Sequence, residues 1–110
     1  MATSKPVTML VTYRPKKGKE HELQALVEQH WPTLNRVGLV TKERARVWRA
    51  TDKRSGDVSF VEMFQWKDDE ASKTAHETPD VMAIWEPMGP ILEELKLSMI
   101  EPVATRHGRT

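Results

Sequence analysis

The side chains able to carry proton chemistry are few. The chain of 110 residues holds four histidines, one tyrosine and no cysteine. Without a thiol there is no disulfide, no thiolate nucleophile and no Cys-ligated metal. His21 and His30 stand nine positions apart, which puts them about 180° apart around a helix, so they cannot hold one ion together. No H-x-x-x-H pair occurs, and His107 falls in the C-terminal tail. A zinc site is therefore not expected, and no metal or other cofactor is assigned. What remains is acid–base work by imidazole, which changes charge near neutral pH, and by one phenol. The candidates are Tyr13, His30 and His76.

Each candidate also has an ordinary structural reading. His30 sits on an apolar stripe with Leu23, Leu26, Val27 and Leu34. It is either a base or orienting donor in a pocket, or a buried imidazole bonded to a carbonyl. His76 ends a helix ahead of Thr78-Pro79, where an imidazolium is favoured by the helix dipole alone. Tyr13 closes a strand, as packing or as a hold on a phenolic or carbonyl oxygen. Glu62 stands between Phe60 and Phe64 on one strand face, and a buried carboxylate must find a partner. It reads first as a structural ion pair at the sheet or at a dimer interface, with Arg46 or Trp48 opposite across a hairpin, and second as a pocket base. The chain has four tryptophans. Trp31, Trp66 and Trp85, with Glu62, Phe64, Met82 and Met88, form the predicted lining of an aromatic-binding cavity. The competing reading is core packing, which for Trp85 on its helix stripe is the first one.

The elements that position these residues follow from periodicity. Val7 to Tyr13 is rich in β-branched residues and reads as a strand ended by Pro15 and Gly18. Lys19 to Val37 carries helical spacing, interrupted at Pro32 and stopped by Gly38. Arg44–Thr51 and Val58–Lys67 read as strands joined by the turn from Asp52 to Asp57. Asp68 reads as the N-cap of a helix running to His76. Asp80 caps a second piece with Val81, Ile84, Trp85, Met88 and Leu92 in step, broken by Pro87 and Pro90. Lys96 to Ile100 is the last strand. The order is β-α-β-β-α-β, a ferredoxin-like α+β fold with two helices on one face of a four-stranded antiparallel sheet. Residues 7–101 form one domain, residues 1–6 a disordered lead-in and 102–110 a loose tail.

Val58, Phe60, Glu62, Phe64 and Trp66 share one face of the third strand, and Ser59, Val61, Met63 and Gln65 the other. Both faces carry apolar side chains, so the face away from the helices needs cover. That is the argument for a homodimer. Lys and Arg number 17 against 16 Asp and Glu, and the basic residues are scattered, which argues against a nucleic-acid partner. No stretch approaches the roughly 20 apolar residues of a membrane span, and the N-terminus has no signal-peptide core. A cytoplasmic location without membrane contact is expected.

Phe60-Val61-Glu62-Met63-Phe64-Gln65-Trp66, then Asp69-Glu70-Ala71, Ala75-His76-Glu77-Thr78-Pro79 and the strand from Leu97 resemble the dimeric α/β-barrel superfamily. Within it the chain is most similar to small proteins grouped with the antibiotic biosynthesis monooxygenases. His30-Trp31-Pro32-Thr33-Leu34 with Gly38-Leu39 resembles an uncharacterised bacterial subgroup. The resemblance implies two sheets packed face to face in a dimer and a pocket in each protomer between sheet and helices, with His76 at its mouth. It also implies oxygen chemistry without metal or flavin, because an electron-rich phenol supplies the electrons. The haem-degrading branch pairs an Asn on strand one with a Trp and an iron-binding His. Tyr13, His76 and Trp85-Glu86 occupy those positions here and match none of them. Three functions follow from this reading. The first is a cofactor-independent oxygenase acting on a small aromatic compound. The second is a non-catalytic ligand-binding or stress-responsive dimer. The third is a sugar mutarotase or isomerase.

Overall fold

The computed structural model of the chain describes residues 5–104. The remainder of the predicted lead-in and tail, including His107, lies outside the described residues. The elements in chain order are β1 (Val7–Pro15), α1 (Glu20–Arg36), β2 (Arg46–Thr51), β3 (Val58–Trp66), α2 (Ala71–His76), α3 (Pro79–Met88), a 3₁₀ turn (Gly89–Ile91) and β4 (Leu92–Met99). The sheet is antiparallel in the order β2-β3-β1-β4. This is the ferredoxin-like arrangement expected from the sequence.

Several boundaries differ from expectation, each for a local reason. β1 runs through Pro15, which the sequence reading made a terminator. Pairing with β3 ends at Tyr13↔Phe60, and only β4 follows β1 further, across a bulge between Arg14 and Pro15. The missing proline N–H therefore costs the ladder nothing on the β3 side. α1 continues through Pro32 as one helix, with the proline exposed. It ends on Gly38, whose φ of 76° is the left-handed conformation a helix stop requires. Asp68 does not cap α2; its carboxylate accepts the Glu70 N–H at 2.9 Å and shapes the turn one step earlier. Thr78, not Asp80, holds the N-cap position of α3, with Pro79 in the first turn. Asp80 instead pairs with Arg36 at 2.7 Å and ties α3 to α1. α3 runs past Pro87, and the chain tightens only at Gly89–Ile91. β4 begins at Leu92, four residues before the expected Lys96.

The helices cover one face of the sheet. Val11 and Tyr13 of β1, Phe60, Phe64 and Trp66 of β3, Leu23, Val27 and Leu34 of α1, and Val81, Ile84 and Met88 of α3 form the core. The β3 alternation settles which face meets the helices. Phe60, Glu62, Phe64 and Trp66 are buried, and Val61, Met63 and Gln65 stay half-exposed on the bare side. The bare face also carries Leu10 and Trp48, the latter 46% exposed. The molecule is a two-layer slab with principal extents of 44 × 44 × 18 Å. Among the described residues no helix is long and apolar enough to cross a membrane.

Leu23 is fully buried under the α1 stripe. Leu23→Ala is expected to lower unfolding free energy by about 2–5 kcal/mol in urea titration. A loss well under 1 kcal/mol would mean that α1 is not seated on the sheet as described.

Candidate functional site

Alternation and helical spacing converge on one buried carboxylate. Tyr13 on β1 and Glu62 on β3 both point to the helix layer, one register step apart from facing each other, because Tyr13 pairs with Phe60 and Val11 with Glu62. His30 projects onto them from the third turn of α1. Trp85 reaches the same point from α3. Glu62 and His30 are the two buried polar side chains of the described core, 0% and 3% exposed.

The hydrogen bonds leave little freedom in where the protons sit. The Tyr13 hydroxyl donates to Glu62 Oε1 at 2.6 Å. His30 Nδ1 lies 2.9 Å from Oε1 and 3.1 Å from Oε2 of the same carboxylate. On the far side of the ring, Trp85 Nε1 is 2.9 Å from His30 Nε2. An indole N–H can only donate, so Nε2 is an acceptor and carries no proton. The imidazole proton is then on Nδ1 and is donated to Glu62. The short His30–Glu62 contact is thus a bond between a neutral ring and a carboxylate. Glu62 gathers two donors, which is how a carboxylate without a cation is kept inside a protein.

Glu62 in turn fixes Tyr13. Burial first, then the Glu62 charge and the hydrogen bond to it, hold the phenol well above its ordinary value of 10.0. Tyr13 keeps its proton through the physiological range and is not a base.

A cavity of about 260 Å³ adjoins this network. Tyr13, His30 and His76 all contribute to its wall, together with Phe64, Trp66, Trp85 and Met88. Trp85, first read as core, is half-buried at this wall, its indole set between two imidazoles. His30 lies at 6.0 Å between ring centroids and His76 at 4.8 Å, edge-on. His76 is exposed, and its Nδ1–H donates to the Ser72 carbonyl at 2.9 Å.

Three of the predicted lining residues are elsewhere. Glu62 lies behind the wall, shielded by Tyr13 and His30. Its register partner on β2 is Val47, and Arg46 and Trp48 project from the opposite face, so neither pairs with it. Trp31 follows His30 by about 100° around α1 and faces Arg44, whose guanidinium lies 5.8 Å from its ring. Its Nε1 is buried with no hydrogen-bond partner. Met82 is half-buried but outside the cavity wall. Conversely, Leu95 and Leu97 of β4 line the cavity. The alternation Leu95, Leu97, Met99 was the available signal, obscured when the strand start was placed too late. No group of three His, Cys, Asp or Glu side chains among the described residues is placed to hold a metal ion.

No family model matches the chain, and no curated protein does. Solved structures do. A cofactor-independent oxygenase, SnoaB from Streptomyces nogalater, is similar over 92% of this chain and 96% of its own, with TM-score 0.70 and 16% identity. PA3566 from Pseudomonas aeruginosa is similar over 94% and 100%, with TM-score 0.61 and 22% identity. At3g17210 from Arabidopsis thaliana is similar over 91% and 98%, with TM-score 0.67 and 12% identity. The fold is that of the antibiotic biosynthesis monooxygenase-like proteins. At these identities the likeness is one of architecture, and the chemistry rests on the side chains above.

Tyr13 is the one tyrosine of the chain, so the phenolate absorbance band reports it alone. Its folded value is raised, so its contribution to stability is complete below the unfolded value of 10.0 and is lost as pH climbs above it. Phenolate absorbance is expected to appear together with loss of the far-ultraviolet circular dichroism signal in an alkaline titration. A phenolate band that grows in while the fold is intact would contradict the buried bond to Glu62.

Proposed function

We propose that this protein is a cofactor-independent oxygenase acting on a small hydroxyarene, with His30 as base and Glu62 as the group that positions it. The observation that carries this reading is the Glu62–His30 bond beside an aromatic cavity. Glu62 holds His30 in one tautomer and stabilises the imidazolium that forms when Nε2 takes a proton. The substrate hydroxyl reaches Nε2 when Trp85 releases it. Deprotonation makes the ring electron-rich enough to react with dioxygen directly. For a hydroxyarene with a free ring C–H, the balance is arene plus O₂ to quinone plus water. The ring carbon gives up its hydrogen and takes one oxygen atom. The hydroxyl carbon becomes a carbonyl. The second oxygen leaves as water with both hydrogens, and the ring supplies all four electrons. SnoaB, described as a cofactor-independent oxygenase, has this fold, which supports the reading.

The cavity chemistry favours this over a sugar isomerase. Apart from Tyr13, His30, His76 and Ser72, the wall is made of Met, Val, Leu, Gly, Phe and Trp residues, and it contains no carboxylate. A sugar would leave most of its hydroxyls unpaired there. The test is oxygen uptake and quinone formation with naphthols, in the presence of chelator and without added flavin. Turnover is expected, and His30→Ala is expected to reduce it about 10²–10⁴-fold. Binding with no oxygen uptake by any of these compounds would leave a ligand-binding protein instead.

We also propose that the bare sheet face is covered by a second copy of the chain. Leu10, Trp48, Val61 and Met63 present an apolar strip on that face, framed by Arg46, Lys96 and Glu94. Light scattering is expected to give a mass near twice 12.7 kDa, and Trp48→Asp is expected to shift it toward one copy. A monomer at micromolar concentration would overturn this assembly.

A further inference from the structure

The buried carboxylate also determines which ligands the cavity accepts. The two polar groups at its buried end are His30 and Tyr13. Both direct their only proton backwards, to Glu62. What faces the cavity from His30 is the Nε2 lone pair, and from Tyr13 the remaining lone-pair side of the hydroxyl oxygen. Apart from the Trp85 indole N–H, this end of the cavity therefore has acceptors and no donors. In the empty site one acceptor is satisfied from within, because Trp85 donates to Nε2 at 2.9 Å. Trp85 is half-buried at the wall, whereas His30 is 3% exposed, so the indole is the group that yields. The wall contains no Lys or Arg, and His76 lies exposed beside Trp85, so an anionic ligand seated at the His30–Tyr13 end faces the Glu62 charge with no counter-charge beside it. At about 260 Å³ the space is somewhat below the roughly 300–1,000 Å³ of pockets for drug-sized ligands, and suits a compact ring system.

We infer that the site selects neutral one- or two-ring compounds bearing a hydrogen-bond donor, an O–H or N–H on the ring, which replaces the indole N–H of Trp85 at His30 Nε2. The corresponding methyl ether or quinone offers only acceptors, finds at this end no donor but an indole N–H already bonded to Nε2, and is excluded. A carboxylate is excluded by charge. This rests on the cavity being the ligand site of the proposed function, and it adds a rule that the oxygenase reading alone does not contain. It also separates substrate from product: once the hydroxyl has become a carbonyl, the donor is gone, Trp85 recaptures Nε2 and the quinone leaves.

The test is calorimetric binding under nitrogen, so that no turnover intervenes, with 1-naphthol, 1-methoxynaphthalene, 1,4-naphthoquinone and 1-naphthoate. The naphthol is expected to bind about tenfold or more tightly than the ether and the quinone, whose own acceptor oxygens would be buried against Nε2 and the Tyr13 hydroxyl without a donor, and the naphthoate weakest of all. Trp85→Phe removes the internal competitor. It is expected to tighten naphthol binding several-fold and to leave the ether unimproved. On the unaltered protein, ¹⁵N resonances are expected to show His30 protonated at Nδ1, and the Trp85 indole N–H signal to shift when naphthol is added. Equal or better binding of ether or quinone would overturn the inference while leaving the cavity as a ligand site. So would a His30 proton on Nε2, or a Trp85→Phe protein that binds naphthol no more tightly. Binding by none of the four compounds would overturn the cavity reading itself, and the inference with it.

Discussion

Everything at the centre of this molecule is arranged around the charge on Glu62. A carboxylate with no exposure and no lysine or arginine partner is costly to bury. The fold meets that cost with two neutral donors of different kinds, a phenol from the central strand and an imidazole from the long helix. Each donor is committed by the bond. Tyr13 is held in its protonated form, and His30 is held in one tautomer with its second nitrogen turned toward α3. The core is therefore apolar almost everywhere except along one line, Tyr13–Glu62–His30–Trp85, that crosses from sheet to helices.

That line shows how a scaffold shared with solved structures at low identity can carry a polar constellation in its core. The slab supplies two faces, and the helix-covered one is where period-two and period-3.6 patterns superimpose. Strand alternation delivers Glu62 and Tyr13 inward, and the α1 stripe delivers His30 onto them. Phe64, Trp66 and Met88 nearby bring no competing hydrogen bonds, so polar specificity rests on a few atoms. On the opposite face the same alternation leaves Leu10, Val61 and Met63 half-covered, which is the physical ground for a second copy there.

Much of this was legible in the sequence, for reasons that can be stated. The element order and the grouping of β3 residues into two faces follow from alternation, and the burial of His30 follows from its place on a stripe; which β3 face turns inward does not follow, because both carry apolar side chains. The line joining Tyr13 to Glu62 was not legible. It depends on the β1–β3 register, which sets Val11 against Glu62 and so lets the Tyr13 ring reach diagonally across. Expecting Arg46 or Trp48 opposite Glu62 was an error of that kind, one residue of slip and hence the wrong face. For Trp85 the sequence carries both a cavity-lining and a core reading, because helical spacing gives a face and does not give the depth of a side chain. β4 was placed late because Pro90 and the glutamates at 93 and 94 mask a strand whose inward positions are Leu95 and Leu97. Trp31 was put in the cavity for its aromatic character, although it lies about a third of a turn away from His30, on another side of α1.

The bonds of the central line also connect positions far apart along the chain. Tyr13 and Glu62 are separated by 49 residues, His30 and Glu62 by 32, and Trp85 and His30 by 55. No single hairpin or helix pair contains them all. Closing such loops is entropically expensive and slow compared with forming local turns. The site is therefore complete only when the sheet, α1 and α3 are all in place. A core that lacks any one of these elements leaves Glu62 short of a donor or its donor unfixed, so the group proposed to direct the chemistry also makes the sheet, α1 and α3 depend on one another.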